Sequence, residues 1–150
     1  MNSSTQILPD HHKHCDDLFV AAEDAAARAD WATAKTAFER FRAQMEAHFT
    51  AEETVLFPGF EAATGMSGGP TQMMRFEHEQ MRTLLEQLAQ TCAARDGDGY
   101  AGVAETLLML LQQHNMKEEN ILYPMCDQAL GPRAAQIGAE MSALLERNDA

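Results

Sequence analysis

"QHNMKEENILYP" (residues 113–124) and "AHFTAEETVLFP" (residues 47–58) share one layout. Each has a histidine, a glutamate four residues on, a second glutamate beside it, and a proline six residues after the first glutamate. Residues four apart share a helix face, so His48 with Glu52 and His114 with Glu118 each present an imidazole and a carboxylate together. One such pair is ordinarily a helix-stabilising contact. Two in the same layout, 66 residues apart, call for a search for an internal repeat.

Sliding the whole chain by 66 places His48 on His114, Glu52 on Glu118, Glu53 on Glu119 and Pro58 on Pro124. Further along, His12 falls on His78, Leu18 on Leu84, Asp30 on Asp96 and Gly65 on Gly131, with no gap. The chain reads as two copies of a helical hairpin. Strand signals are nearly absent. The first helix is expected from about Pro9 to Arg28, and the second from near Asp30 to Pro58–Ala63. The third runs from about Thr71 to Ala94, and the fourth continues to Tyr123–Leu130. "TGMSGGP" (64–70), "DGDG" (96–99) and "GPR" (131–133) mark the breaks.

Apolar stripes support the assignment. Leu8, His12, Cys15, Phe19, Ala22 and Ala26 repeat in steps of four and three, as do Met74, His78, Met81, Leu85, Leu88 and Cys92. The other two helices read Ala37, Phe41, Met45, His48, Glu52, Val55 and Val103, Leu107, Leu111, His114, Glu118, Ile121. This period marks the buried face of a bundle helix. The histidines and glutamates lie within those stripes. Depth follows from the turns, because residues at one level of an antiparallel hairpin are equidistant from its turn. The midpoint of His12 and His48 is Asp30, that of His78 and His114 is Asp96, and that of Glu52 and His78 is Gly65. Four His and two Glu are therefore expected at one level of the interior.

Composition sets the frame. At 150 residues with 45% hydrophobic residues, the chain suits one folded domain, 1–150. A net charge of −12 disfavours a nucleic-acid partner, since phosphate binding needs basic clusters. "MNSSTQILPDHHKH" (1–14) lacks the basic start and long apolar core of a signal peptide, and no stretch is long enough to span a bilayer. The expectation is a soluble, cytoplasmic protein, monomer or homodimer. Cys15, Cys92 and Cys126 show no finger spacing and read as reduced, buried thiols. Most of the ten methionines read as core filler, and Trp31 as a packing cap at the far end of the bundle.

Ionised carboxylates buried without partners cost several kcal/mol each, and imidazoles need partners too. Two bound cations would supply them. Four imidazoles and two carboxylates give three protein ligands per ion, a set that leaves coordination positions open. Without cysteine a closed zinc site is disfavoured. Two iron ions fit best, with manganese or zinc behind.

The chain resembles the hemerythrin-like, or HHE cation-binding, domains. The residues that carry the resemblance are "DHHKHCDDLF" (10–19), "HFTAEETVLFP" (48–58), "EHEQM" (77–81) and "HNMKEENILYP" (114–124), and it spans about residues 8–130. It implies an all-α, up-down-up-down antiparallel four-helix bundle holding a non-haem di-iron centre. Here that bundle is built of two hairpin repeats, and a short C-terminal helix follows at about 133–147. The resemblance implies His12, His48, Glu52, His78, His114 and Glu118 as ligands, with the two glutamates bridging. Oxygen-carrying members have a second histidine on the third helix and a histidine–aspartate spacing of five on the last. Here Met74 and Arg82 flank His78, and the last helix has Glu118 four residues after His114. His11 and His14 are candidates for the missing imidazole. The repeat favours His12, because His11 falls on Glu77 and His14 on Gln80. Asp16 falls on Arg82 and reads as a surface or ion-pair residue. Glu53 and Glu119 are expected to face solvent or to support the ligands from behind. Tyr123 is expected to pack below the site, with a hydrogen bond to a bound oxygen species as the sharper alternative.

The functional expectation is a di-iron protein that binds or senses a small diatomic ligand or oxidant, O2, NO or peroxide, more a binding protein than a dedicated enzyme. The alternatives are a metal store, an iron-donating factor for iron–sulfur cluster repair, or a di-metal oxidoreductase. The repair factors of the family carry a further cysteine-rich domain, and this chain begins directly at the bundle, which ranks that reading second.

Overall fold

Two helical hairpins form where the repeat places them. The computed structural model describes residues 5–147; the two ends of the expected 1–150 unit, residues 1–4 and 148–150, lie outside the described residues. The first hairpin pairs α1 (Ile7–Ala27) with α2 (Trp31–Ala51), which continues through a π-helical turn (Glu52–Leu56) into α3 (Phe57–Thr64). The second pairs α4 (Pro70–Ala93) with α5 (Gly97–Lys117), which continues through a matching π-helical turn (Glu118–Leu122) into α6 (Tyr123–Leu130). A 3-10 turn (Gly131–Arg133) leads to α7 (Ala134–Arg147). No strand occurs among the described residues. The chain is an all-α bundle in which α1 lies beside α2 and α5, and α4 lies beside the same two.

The hairpin turns repeat in detail. Ala29 and Arg95, 66 residues apart, both take left-handed backbone angles (φ 57° and 53°). The next residue in each copy, Asp30 or Asp96, closes the preceding helix by donating its N–H to the carbonyl of Ala25 or Thr91, 3.0 Å in both cases. The same aspartate caps the following helix: its carboxylate accepts from the N–H of Thr33 (3.3 Å) or Gly99 (2.9 Å). Only part of "DGDG" is therefore loop, since Gly97 to Gly99 already form the first turn of α5.

Neither proline ends its helix. Proline has no N–H to donate and its ring crowds the carbonyl four residues back. The helix answers by widening ahead of it. Phe57 N–H reaches back five residues to Glu52 C=O, and Tyr123 N–H to Glu118 C=O. One residue is absorbed without contributing to the 3.6 period, so the inward stripe advances by one. Leu56 and Leu122 are buried in place of the expected Val55 and Ile121; Val55 is half-buried and Ile121 exposed.

The core is two apolar clusters with a polar level between them. Towards the hairpin turns lie Phe19, Phe38, Phe41, Leu85, Leu88, Tyr100 and Leu107. Towards the other end lie Leu8, Leu56, Phe57, Phe60, Leu122 and Leu130, covered by Ile137, Met141 and Leu145 of α7. Each such side chain contributes roughly 1.5–3 kcal/mol on burial. Gly59 permits the approach of α7: a Cβ there would stand 3.1 Å from Ile137 Cδ1 and 3.3 Å from Leu130 Cδ2. The three cysteines are buried and reduced, and Trp31 is half-buried against the turn-side cluster. The methionines divide differently from expectation. Met45, Met74, Met81 and Met141 are core, whereas Met66, Met73, Met109, Met116 and Met125 are exposed. No described helix is long and apolar enough to cross a membrane.

Candidate metal centre

The polar level is built from equivalent points of the four long helices. His12 comes from α1, His48 from α2, His78 from α4 and His114 from α5. Glu52 and Glu118 open the two π-helical turns, one helical turn after His48 and His114. All six are buried, and both glutamates are wholly enclosed. Their donor atoms form two groups in which every atom lies within 4.8 Å of the others. One is Glu52, His78, His114 and Glu118; the other is His12, His48 and Glu118. His78 Nε2 stands 3.0 Å from Glu52 Oε1, and His114 Nε2 3.3 Å from Glu118 Oε1. His12 Nε2 stands 3.2 Å from Glu118 Oε1, and His48 Nε2 3.6 Å from Glu52 Oε2. Each carboxylate thus faces histidines of both groups.

The outward nitrogens decide which way the imidazoles point. His78 Nδ1 is 2.6 Å from Glu53, His114 Nδ1 2.7 Å from Glu77 and His12 Nδ1 2.7 Å from Glu119. A carboxylate only accepts, so each Nδ1 carries a proton and donates it. The neutral ring then has its lone pair on Nε2, aimed at the centre. There it meets carboxylate oxygens, which are also acceptors. Such a set is held together only by cations, either protons or metal ions. Consistent with this, His78 Nε2, His114 Nε2, Glu52 Oε1 and Glu118 Oε2 are buried without a hydrogen-bond partner. This donor chemistry fits metal cations.

The electrostatics follow the same lines. Burial pulls His78 down, but hydrogen bonds to Glu52 and Glu53 and the charges of Glu52 and Glu118 outweigh it and raise its pKa to about 9. Burial likewise opposes His12 and His114, and the neighbouring carboxylates, Glu118 foremost, carry both above the usual value. His48 is the exception: full burial dominates and lowers it. Glu52 is held well below the carboxylate range, because the histidines around it outweigh its own burial.

His48 differs because of what stands behind it. Its Nδ1 is 2.9 Å from His11 Nδ1, and His11 Nε2 donates to Gln44 Oε1 at 2.9 Å. His11 therefore accepts the His48 proton, through a neutral ring where the other three histidines have a carboxylate. Burial and the proximity of His48 depress the His11 pKa to about 4, which keeps that ring neutral. Of the two extra candidates, His11 thus supports the group from behind. His14 is half-buried beside it, 5.9 Å between ring centroids, and belongs to neither donor group.

Tyr123 lies inside the site. Its hydroxyl donates to Glu52 Oε2 at 2.6 Å and is 2.9 Å from Glu118 Oε1. It also stands 3.3 Å from His12 Nε2 and 3.5 Å from His48 Nε2. Burial and the two carboxylates hold the phenol pKa well above its usual value, so it stays a proton donor. Glu77 and Gln44 were not singled out from the sequence. Glu77 had a signal, since it falls on His11 in the repeat and both turn out to back the histidine of the neighbouring helix.

Residues 3–126 match the hemerythrin HHE cation binding domain. The chain belongs to that family. Metal-cation binding is the property by which the HHE domain is described, and the two donor groups lie within the matched residues. Comparison with curated proteins gave no match, and neither did comparison with solved structures.

Proposed function

We propose that this HHE domain holds two iron ions and uses them to bind or sense a small diatomic ligand or oxidant, O2, NO or peroxide. His78 and His114 would hold one ion and His12 and His48 the other, with Glu52 and Glu118 available to both. The observation that carries the reading is the set of buried, unpartnered acceptor atoms facing one another at a single level. Iron when bound supplies a Lewis acid and exchangeable electrons. Three or four protein donors per ion leave positions open.

The chain's own residues shape what such a position accepts. The apolar clusters above and below the level close it along the bundle axis. Among the described residues Tyr123 is the hydroxyl donor at the centre, placed against His12 and His48. To hydrogen-bond a polar diatomic ligand on that side, it would turn its single proton away from Glu52 Oε2. Glu53, Glu77 and Glu119 hold the imidazole protons away from the centre. A second reading, an iron store or donor, is favoured by a groove that reaches His12 from the surface. Iron transfer to an apo iron–sulfur protein would mark that role.

The test is to load the protein with ferrous iron without oxygen and expose it to each ligand in turn. New charge-transfer absorption with at least one of the three is expected. No spectral response to any of them would overturn the ligand-binding reading.

A further inference from the structure

The repeat makes the two metal positions equivalent in sequence register, and the structure shows that their surroundings are not alike. His78 and His12 occupy the same place in the two copies, as do their carboxylates Glu53 and Glu119. Glu53 is gripped by Arg82, with contacts of 2.9 and 3.1 Å. The residue equivalent to Arg82 is Asp16, an exposed carboxylate whose charge repels Glu119. Among the described residues no arginine or lysine pairs with Glu119, whose side chain is 39% exposed against 21% for Glu53. The second pair has diverged as well. His114 is backed by Glu77, itself paired with Lys117, whereas His48 is backed by the neutral His11–Gln44 chain. The donor count differs too: four for the His78/His114 group and three for the His12/His48 group.

A carboxylate behind a ligating imidazole raises its basicity and fixes its orientation, and losing one typically costs about 10- to 100-fold in metal affinity. One position has two such carboxylates, each neutralised and held by a cation. The other has one, loosely held, and a neutral ring. Access differs in size: His114 borders only a small pocket of about 30 Å³, lined with Glu77 and Lys117. A groove of about 730 Å³ between α1 and α5 is lined by His12, Lys13, Asp16, Glu23 and Glu119. Its three carboxylates outnumber the one ammonium, a net charge that would draw cations towards His12. On the opposite side His78 is fully buried, stacked 4.2 Å from the Phe49 ring, which Arg82 covers at 5.1 Å.

We propose that the two positions load in a fixed order: the His78/His114 position fills first and retains its ion, and the His12/His48 position fills second and exchanges its ion through the α1/α5 groove. This rests on the two-metal reading above. Glu53, Glu77, Glu119 and His11 act as positioning residues that set the difference.

The test is a titration of the full chain with Co2+, followed by its visible bands against a competing chelator, then removal with excess chelator. Two resolved steps are expected, separated by at least about 10-fold in affinity. On removal, one equivalent should leave much faster than the other. Glu119→Gln should weaken the second step by about 10-fold or more and leave the first unmoved, and Glu53→Gln should do the reverse. Asp16→Arg, at an exposed site, should restore the counterpart of Arg82, tighten the second step and slow its release. Two equivalents taken up and released identically would overturn the order while leaving the two-metal reading intact. A Glu119→Gln change that weakened the first step would also overturn it. Failure to bind any metal would remove both.

Discussion

His78 and His114 sit in a braced half of the centre, His12 and His48 in an open one. In the braced half each imidazole leans on a carboxylate, and each carboxylate on a cation. Aromatic rings close it: Phe49 lies 4.2 Å and Phe57 5.8 Å from His78, and Arg82 and Arg75 cover those rings. In the open half the rings pack chiefly on one another, His12 on His48 at 4.5 Å and His48 on His11 at 5.1 Å. A tyrosine hydroxyl stands where the first copy has Phe57. The repeat supplied one scaffold twice, and substitutions behind the ligands turned the two positions into different environments. Residue types alone would not reveal this, because both halves draw only on two histidines and on glutamate.

The comparison breaks most completely at Glu118, the residue in both donor groups. Glu118→Ala should lower bound metal by about half or more, measured by metal analysis after loading and desalting, and His114→Ala should lower it by removing a donor of the braced half. Full retention in either variant would count against the site. Next in size are the braces. Arg82→Ala or Lys117→Ala should weaken only the tighter metal equivalent, by about 10-fold, seen in chelator competition. An equal effect on both equivalents would mean the halves are not separately supported.

Tyr123→Phe gives the second copy the residue of the first. Metal content should be retained. The metal-free protein should lose about 1–3 kcal/mol, since two buried carboxylates lose a shared donor. The optical response to O2, NO or peroxide should change; an unchanged response would place the ligand away from Tyr123.

The smallest expected effect is one of pH on the metal-free protein. The pKa of His78 is raised from 6.5 to about 9, so its protonation stabilises the fold below pH 6.5 and that contribution is lost as pH rises through 9. His12 and His114 are raised in the same direction. His11 and His48 are lowered, so well above pH 6.5 they are neutral whether folded or unfolded and drop out. Thermal scans of chelated protein should therefore show the midpoint falling between about pH 7 and 9. The metal-loaded protein, whose rings carry no such proton, should show little change there. A rising midpoint for the chelated protein would contradict the arrangement.

Much of this was legible in the sequence, for identifiable reasons. A 66-residue repeat with matching turns forces equal depths, so the meeting of His12, His48, Glu52, His78, His114 and Glu118 at one level followed from counting. The π-helical turns did not follow, because a constant 3.6 period carries Val55 and Ile121 inward where Leu56 and Leu122 are found; Pro58 and Pro124 were the available sign. The roles of Glu77, Gln44 and His11 were hidden because they depend on contacts between helices, which stripes on single helices do not report. Burial of the methionines was overestimated: Met109 and Met116 lie on the outer face of α5, where composition says nothing of orientation.

The central claim is that these six side chains hold two metal ions in the core. Anomalous scattering at the iron edge, from crystals of iron-loaded protein, tests it most directly. The account expects two peaks at the polar level, one bonded to His78, His114 and the two glutamates, the other to His12, His48 and Glu118. Peaks only at surface carboxylates, or none between the four helices, would contradict it.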